Sequence, residues 1–283
     1  MTSLDIDTTN RLSELDDLLR GYGSVLVAFS GGADSAFLLA AAVRALGTSR
    51  VAAATAVSPS LPDTERAAAS SFAAELGVRH LLPRTDELSR PGYRANAGDR
   101  CYFCKSELLE TVVPLAAEHG LARVATGTNA DDAVAGFRPG IRAAAERGAV
   151  TPLLDAGLRK TQIRAISREW GLSTWDKPAA ACLSSRIAYG IEVTSGGLAR
   201  VARAEAHLRS VLDAAGVPVR NLRVRDMGDD HAKVEVDSDR VTALMERPDL
   251  LAGIDGFTEV TVDPQGFRSG SMNELLADPA RYR

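Results

Sequence analysis

No run in this sequence is long and apolar enough to cross a bilayer: the apolar stretch Phe37–Val43 falls far short of the ~20 residues a membrane helix needs. The first fifteen residues are polar and acidic and lack the apolar segment of a secretory leader, so none is expected. Cysteine is scarce and odd in number. Cys101, Cys104 and Cys182 cannot close a disulfide framework, and three thiols suit a reducing compartment. Cationic excess is missing too. Lys and Arg number 33 against 37 Asp and Glu, a net charge of -4, which argues against nucleic acid or an anionic membrane as the main partner. Together these absences point to a cytoplasmic protein. What remains is ordinary globular material, 283 residues with 45% apolar and 25% charged side chains, enough for one large domain or two modest ones.

Strand and helix signals alternate from Val25 to Trp170, the pattern of an α/β fold in which a parallel sheet is covered by flanking helices. Val25–Phe29, Val51–Val57, Val78–Leu82 and Arg123–Thr126 read as strands. Ala36–Leu46, Asp63–Leu76, Cys101–Glu118 with a kink at Pro114, and Lys160–Trp170 read as helices. Pro, Ser and Gly gather between Lys177 and Gly197, marking a boundary. Beyond it the order changes to a helix at Leu198–Ala215, paired strands Leu222–Met227 and Ala232–Val236, a helix at Ser238–Leu251 and a strand at Phe257–Val262. The division is therefore a sheet-and-helix domain over 1–180 and a smaller C-terminal α+β domain over 181–283.

The strongest chemical signal is Ser30-Gly31-Gly32-Ala33-Asp34-Ser35, set between a strand and a helix. Two glycines let backbone approach an anion, hydroxyls and N–H groups donate, and the helix N-terminus adds partial positive charge. The loop lacks the Gly-Lys-Ser/Thr ending of a Walker A loop and is not Gly-x-Gly-x-x-Gly, so neither ordinary P-loop hydrolysis nor a dinucleotide fold is favoured. Its bland alternative is a glycine-rich turn after a buried strand. Ser-Gly-Gly-x-Asp-Ser in this setting resembles the PP-loop of the adenine nucleotide alpha hydrolase superfamily, whose members cleave ATP to AMP and pyrophosphate. The resemblance implies that Ser30, Gly31, Gly32, Asp34 and Ser35 hold the departing pyrophosphate and its Mg2+, and that backbone around Ala54–Val57 meets adenine.

Cys101-Tyr102-Phe103-Cys104 is a C-x-x-C pair, shared by redox pairs, zinc sites and iron-sulfur sites. Cys182 lies in a loop bearing Pro178, Ser184 and Ser185. A closed four-ligand zinc site would have to borrow one of four scattered histidines or a carboxylate. An open three-thiolate site suits a [4Fe-4S] cluster with one iron left for an exogenous ligand. The alternative is two small helix-packing residues and one buried thiol.

Several segments stand in order along the chain: Cys101-Tyr-x-Cys104-Lys105, Gly127-Thr128-Asn129-Ala-Asp131-Asp132, Arg138-Pro139-Gly140, Lys160-x-x-Ile-Arg164, Trp175-Asp176-Lys177-Pro178, Ala181-Cys182-Leu-x-Ser185-Arg186-Ile and Arg268-Ser-Gly270-Ser-Met-Asn273-Glu274. In this the sequence resembles the ATP-dependent sacrificial sulfur transferase family, LarE, which makes the nickel-pincer nucleotide of lactate racemase. The resemblance spans Val25 to Glu274. It implies a small-molecule nucleotide substrate, pyridinium-3,5-biscarboxylic acid mononucleotide, whose carboxylates are adenylated by ATP and then converted to thiocarboxylates. Family members with one cysteine at the Cys182 position sacrifice its sulfur. Cys101 and Cys104 place this sequence with the branch in which three cysteines hold a [4Fe-4S] cluster and a sulfide on its unique iron is transferred. A homo-hexamer built as a trimer of dimers is implied as well.

Further candidates complete the site. Gly127 and Thr128 join the nucleotide-binding set. Asp132, with Asp131 beside it, is a candidate magnesium ligand or a solvated acidic turn. Arg223, Arg225 and Arg268 offer guanidinium forks for a phosphate or carboxylate, and the spacing of Arg223 and Arg225 puts them on one sheet face. Ser185 and Arg186, next to Cys182, are candidates for orienting the adenylated group. Two other readings remain: a PP-loop tRNA thiolase with a three-cysteine cluster, disfavoured by the acidic balance, and a nucleotide-binding regulatory protein without turnover, disfavoured by the intact loop.

Overall fold

The computed structural model describes residues 4–134, 139–178 and 181–276. Arg138, which falls in a motif above, and the alanines at 179 and 180, beside the expected boundary between domains, lie outside the described residues. Two compact units divide the described chain, one drawing on 4–87 and 101–178, the other on 88–100 and 181–276. Helices and strands follow in the order α1 (Ile6–Tyr22), β1 (Val25–Ala28), α2 (Ala33–Leu46), β2 (Val51–Ala54), α3 (Asp63–Glu75), β3 (Arg79–Leu81), α4 (Pro91–Arg94), α5 (Arg100–Glu118), β4 (Arg123–Thr126), α6 (Ala130–Val134), α7 (Pro139–Glu146), α8 (Pro152–Asp155), α9 (Lys160–Glu169), α10 (Ser195–Ala214), β5 (Leu222–Asp226), β6 (His231–Val236), α11 (Val241–Met245) and β7 (Glu259–Val262). Among the described residues no helix is long and apolar enough to cross a membrane.

The first unit is a four-stranded, all-parallel sheet in the order β3-β2-β1-β4, the α/β architecture expected. Its central strands, Val25–Ala28 and Val51–Ala54, are buried at every position. That is why they read as continuous apolar runs: helices cover both sheet faces. α2 is mostly alanine and leucine and is buried around most of its circumference, which lets it sit close to β1. α1 overlaps the polar, acidic first fifteen residues, for which no element was expected. Asp5 caps it by accepting the Thr8 N–H at 2.7 Å, Gly23 ends it at φ +75°, and Leu15 and Leu19 are fully buried. Each of those two leucines contributes roughly 1.5–3 kcal/mol, enough to hold a helix that is polar elsewhere.

The second unit packs α10 on a three-stranded sheet ordered β5-β6-β7, with β5 and β6 antiparallel and β6 and β7 parallel. Ala204, Leu208 and Leu212 of α10 meet Leu222, Val224, Val234 and Val236. Gly228, Asp229 and Asp230, all at positive φ, turn β5 back into β6. The single helix expected over Ser238–Leu251 is instead three pieces: a 3-10 turn at Ser238–Arg240, α11, and a 3-10 turn at Pro248–Leu251. Pro248 is the reason, since it supplies no N–H and excludes helical conformation from the residue before it. Segment 88–100 enters this unit through Asn96. Fully buried at φ +52°, it donates through Nδ2 to the carbonyls of Ala188 at 2.8 Å and Ile191 at 2.9 Å.

Candidate active site

Strands β2 and β4 flank β1 on opposite sides, so the crevice beyond the carboxyl ends of β1 and β4 is a topological switch point, where open α/β sheets bind ligands. Ser30–Gly32 leaves β1 and Gly127–Asn129 leaves β4 into this crevice. Gly31 has φ +73°, and a Cβ there would stand 3.3 Å from Ala69 Cβ. Gly127 lies closer still: a Cβ would come within 3.0 Å of the Ser35 nitrogen and 3.2 Å of the Asp34 carbonyl carbon, backbone atoms that cannot yield. Gly31 thus lets the first loop pass close to α3, and Gly127 brings the second against the first turn of α2, whose N–H groups have no partner within the helix. Ser35 Oγ donates to Gly32 O at 3.1 Å and lies 3.1 Å from Ser30 Oγ, and Thr128 Oγ1 lies 3.2 Å from Thr126 Oγ1. This cradle fits a polyphosphate.

Burial pushes the Asp34 carboxyl above its ordinary range. Lys160 and Arg164 pull it down and Asp132 pushes it up. Asp132 accepts from Lys160 Nζ at 2.9 Å, while Asp131 accepts the Lys160 N–H at 2.8 Å. Asp34 and Asp132 form an oxygen donor pair suited to Mg2+, which completes its shell with phosphates and water. Asn129 was not singled out from sequence. It is fully buried, its Oδ1 accepts the N–H groups of Asp131 and Asp132 at 3.0 and 3.2 Å, and its amide favours the ionised form of the neighbouring Asp34 carboxyl. Asn129 thereby ties the turn after β4 to the acid of the phosphate loop. The Val57 amide, by contrast, already donates to Pro83 O at 2.8 Å and its carbonyl accepts from Thr85 at 3.2 Å. The backbone contact with adenine expected at Val57 therefore meets groups engaged in a bridge to the neighbouring strand.

A raised Asp34 means the folded state favours the protonated form, so the carboxylate costs stability once pH rises through its folded pKa and costs nothing below the unfolded value near 3.8. Asp34→Asn is expected to raise the melting temperature of the nucleotide-free protein at pH 7, with the gain vanishing toward pH 3, and to weaken Mg-ATP binding. Melting curves across pH, paired with ATP titrations, check both signs.

Cys101, exposed, and Cys104, half-buried, stand three residues apart in the first turn of α5, and neither is in a disulfide. That spacing sets both thiols on one helix face, a donor pair suited to a soft metal. Tyr102 between them donates to Glu146 Oε2 at 2.5 Å and lies under the Arg142 guanidinium at 4.7 Å, fixing the start of α5 against α7. Within each unit, no three His, Cys, Asp or Glu among the described residues are grouped to hold a metal ion.

Cys182 belongs to the second unit, where it precedes a 3-10 turn over Leu183–Arg186. Its carbonyl accepts from Ser185 N at 3.0 Å, Ser185 Oγ at 2.8 Å and Arg186 Nη1 at 3.1 Å. Buried Arg186 also forms a two-point pair with Glu205, at 2.8 and 3.1 Å. Ser185 and Arg186, expected to orient an adenylated group, are thus seen fixing the backbone that carries Cys182. Arg225 likewise has internal partners: Glu235 at 2.7 Å, Ser185 O at 2.9 Å and Ser271 Oγ at 3.4 Å. Arg223 stacks on Phe267 at 5.0 Å, and burial, with Arg186 and Arg225 adding repulsion, pushes its pKa down to about 10. Arg268 donates to Glu274 at 3.0 Å. Buried Nε of Arg225 has no hydrogen-bond partner, and Nη1 of Arg268, likewise without one, faces the Asp263 carboxylate at 3.6 Å. Glu205 and Glu235 escaped the sequence reading because nothing in their spacing distinguishes them from surface acids.

The cradle at the switch point defines a PP-loop α/β protein of the adenine nucleotide alpha hydrolase kind. No family model matches the chain. It is, however, 35% identical over 279 residues to pyridinium-3,5-bisthiocarboxylic acid mononucleotide synthase of Lactiplantibacillus plantarum, covering 98% of this chain and 97% of that protein. It is 40% identical over 272 residues to an uncharacterized protein of Synechocystis sp., covering 93% and 98%. An uncharacterized protein of Methanocaldococcus jannaschii shares 27% over 176 residues, covering 62% and 66%. The chain therefore belongs to the LarE family, that of the Lactiplantibacillus synthase.

Proposed function

We propose that this protein is an ATP-dependent sulfur transferase that converts the carboxylates of pyridinium-3,5-biscarboxylic acid mononucleotide into thiocarboxylates. The observation that carries it is the double-glycine cradle, Gly31 set close to α3 and Gly127 closing on the start of α2 with Asp34 and Asp132 beside it, in a chain so similar to a bisthiocarboxylate synthase. A carboxylate is a poor electrophile because hydroxide or oxide is a poor leaving group. Its oxygen attacks the α-phosphorus of ATP, forming a carboxyl–adenylate bond, and the bond to the β-phosphate oxygen breaks, its electron pair leaving with pyrophosphate. The cradle holds that pyrophosphate, and Asp34 and Asp132 would hold Mg2+, which when bound would offset the phosphate charge. Sulfur then attacks the activated carbonyl and AMP departs. Cys101, Cys104 and Cys182 are the proposed ligands of a [4Fe-4S] cluster, which when bound would supply nucleophilic sulfide. The buried Nε of Arg225 suits an anionic group of the substrate.

The test is anaerobic incubation of the reconstituted protein with Mg-ATP, a sulfide source and the biscarboxylate nucleotide. AMP and pyrophosphate are expected in equal amounts, with a product mass shifted by sulfur-for-oxygen exchange. ATP cleavage that needs tRNA and ignores the pyridinium nucleotide would replace this reading with a tRNA thiolase.

A further inference from the structure

Lys177 belongs to a motif that marks the family resemblance, yet the chemistry above leaves it without a part. Its half-buried ammonium donates to the carbonyl of Gly31 at 3.0 Å and to Glu65 Oε2 at 2.7 Å. Gly31 is the left-handed residue of the phosphate loop, so this cation rests on the backbone of the cradle itself. Its own backbone is pinned in place. Arg164 of α9 donates to Trp175 O at 3.3 Å and to Lys177 O at 3.0 Å, and the Lys177 N–H donates to Thr174 O at 3.1 Å.

The loop has no lysine of its own: its side chains are hydroxyls and one carboxylate, so the loop itself offers a phosphate N–H dipoles and hydroxyls but no cationic side chain. Lys160 is engaged with Asp132. We propose that Lys177 is the cationic ligand of the β- and γ-phosphates, a substrate-binding residue that stabilises pyrophosphate as it leaves. An ammonium has three protons to donate. Lys177 keeps Gly31 O and exchanges the Glu65 carboxylate for a phosphate oxygen, so Glu65 acts as a stand-in anion while the site is empty. This rests on the reading that the loop binds ATP.

Calorimetric titration of the full chain with Mg-ATP, Mg-pyrophosphate and AMP tests it. Lys177→Ala is expected to weaken ATP and pyrophosphate by ~10- to 100-fold, the worth of one charged hydrogen bond, and to leave AMP unchanged. Glu65→Gln, which removes the competing anion, is expected to tighten pyrophosphate binding. The inference is overturned if Lys177→Ala binds pyrophosphate as the wild type does, or loses AMP along with ATP as a collapsed loop would. Should Lys177→Ala not fold, Glu65→Gln decides alone: unchanged or weaker pyrophosphate binding overturns the assignment. A wild-type chain that binds neither ATP nor pyrophosphate would sink the functional reading and this one together, whereas tight wild-type binding with an indifferent Lys177→Ala sinks only this one.

Discussion

Replacing Cys182 with alanine is expected to abolish thiocarboxylate formation while leaving the fold and ATP binding as they are. The structure uses this residue through its carbonyl, which takes three donors from Ser185 and Arg186, and an alanine carbonyl takes the same three. Its thiol is only half-buried and accounts for about 1 kcal/mol or less of packing. A melting temperature within the wild-type range, an unchanged ATP titration and no detectable thiocarboxylate form the expected set. The Cys101→Ala/Cys104→Ala pair separates cluster-borne sulfide from cysteine sacrifice. With Cys182 intact, the pair variant is expected to deliver at most one sulfur per chain, whereas the wild type is expected to turn over repeatedly when supplied with sulfide. Full multiple turnover by the pair variant would remove the cluster from the proposal, and wild-type product from Cys182→Ala would remove Cys182 from the chemistry.

Glu235→Leu is expected to give the largest loss of stability. Glu235 is fully buried on β6 and holds Arg225, itself 4% exposed, at 2.7 Å, while Ser271 Oγ donates to its other oxygen at 2.9 Å. Removing the carboxylate strands a guanidinium in a site with little water, a change that costs about 3–5 kcal/mol. The double variant Arg225→Met/Glu235→Leu takes both charges away and is expected to recover most of that loss, because a buried pair is worth little more than apolar groups that fill the same space. Urea denaturation of the four members of this cycle measures it. A double variant as unstable as Glu235→Leu would show that the cost lies in packing rather than in the stranded charge. Arg225 also donates to Ser185 O, so the single variant is expected to slow sulfur transfer as well.

The PP-loop was legible because its chemistry is local: six consecutive residues set the turn, the donors and the helix start. The α/β sheet was legible for a related reason, since strands covered on both faces are written as unbroken apolar runs such as Val25–Ala28. Features made by distant residues were not legible. Alternation put Arg223 and Arg225 on one face of a strand but could not show that this face is closed over by Phe267, Glu235 and Ser271. Helix α1 was missed although Leu12, Leu15, Leu19 and Tyr22 recur at helical spacing, because the polar, acidic residues around them dominated the reading, and Ser238–Leu251 was read as one helix because its apolar spacing outweighed Pro248. Lys177 and Asn129 stood in quoted motifs, but their relation to Gly31 and to Asp131 and Asp132 is a matter of three-dimensional contact. Neither spacing nor residue type announces it.

The membership of segment 88–100 in the second unit has a consequence for how the chain is made. Asn96 and its first carbonyl partner, Ile187, are 91 positions apart. At ~5–20 residues per second, synthesis needs roughly 5 to 20 seconds to span that interval. Throughout that time the amide of Asn96 lacks the carbonyls that later bury it, while β3 is already made and β4 follows well before Ile187. The growing protein must therefore hold a polar strap outside its first sheet until the last third emerges, and a fragment beginning at 181 never receives the strap at all.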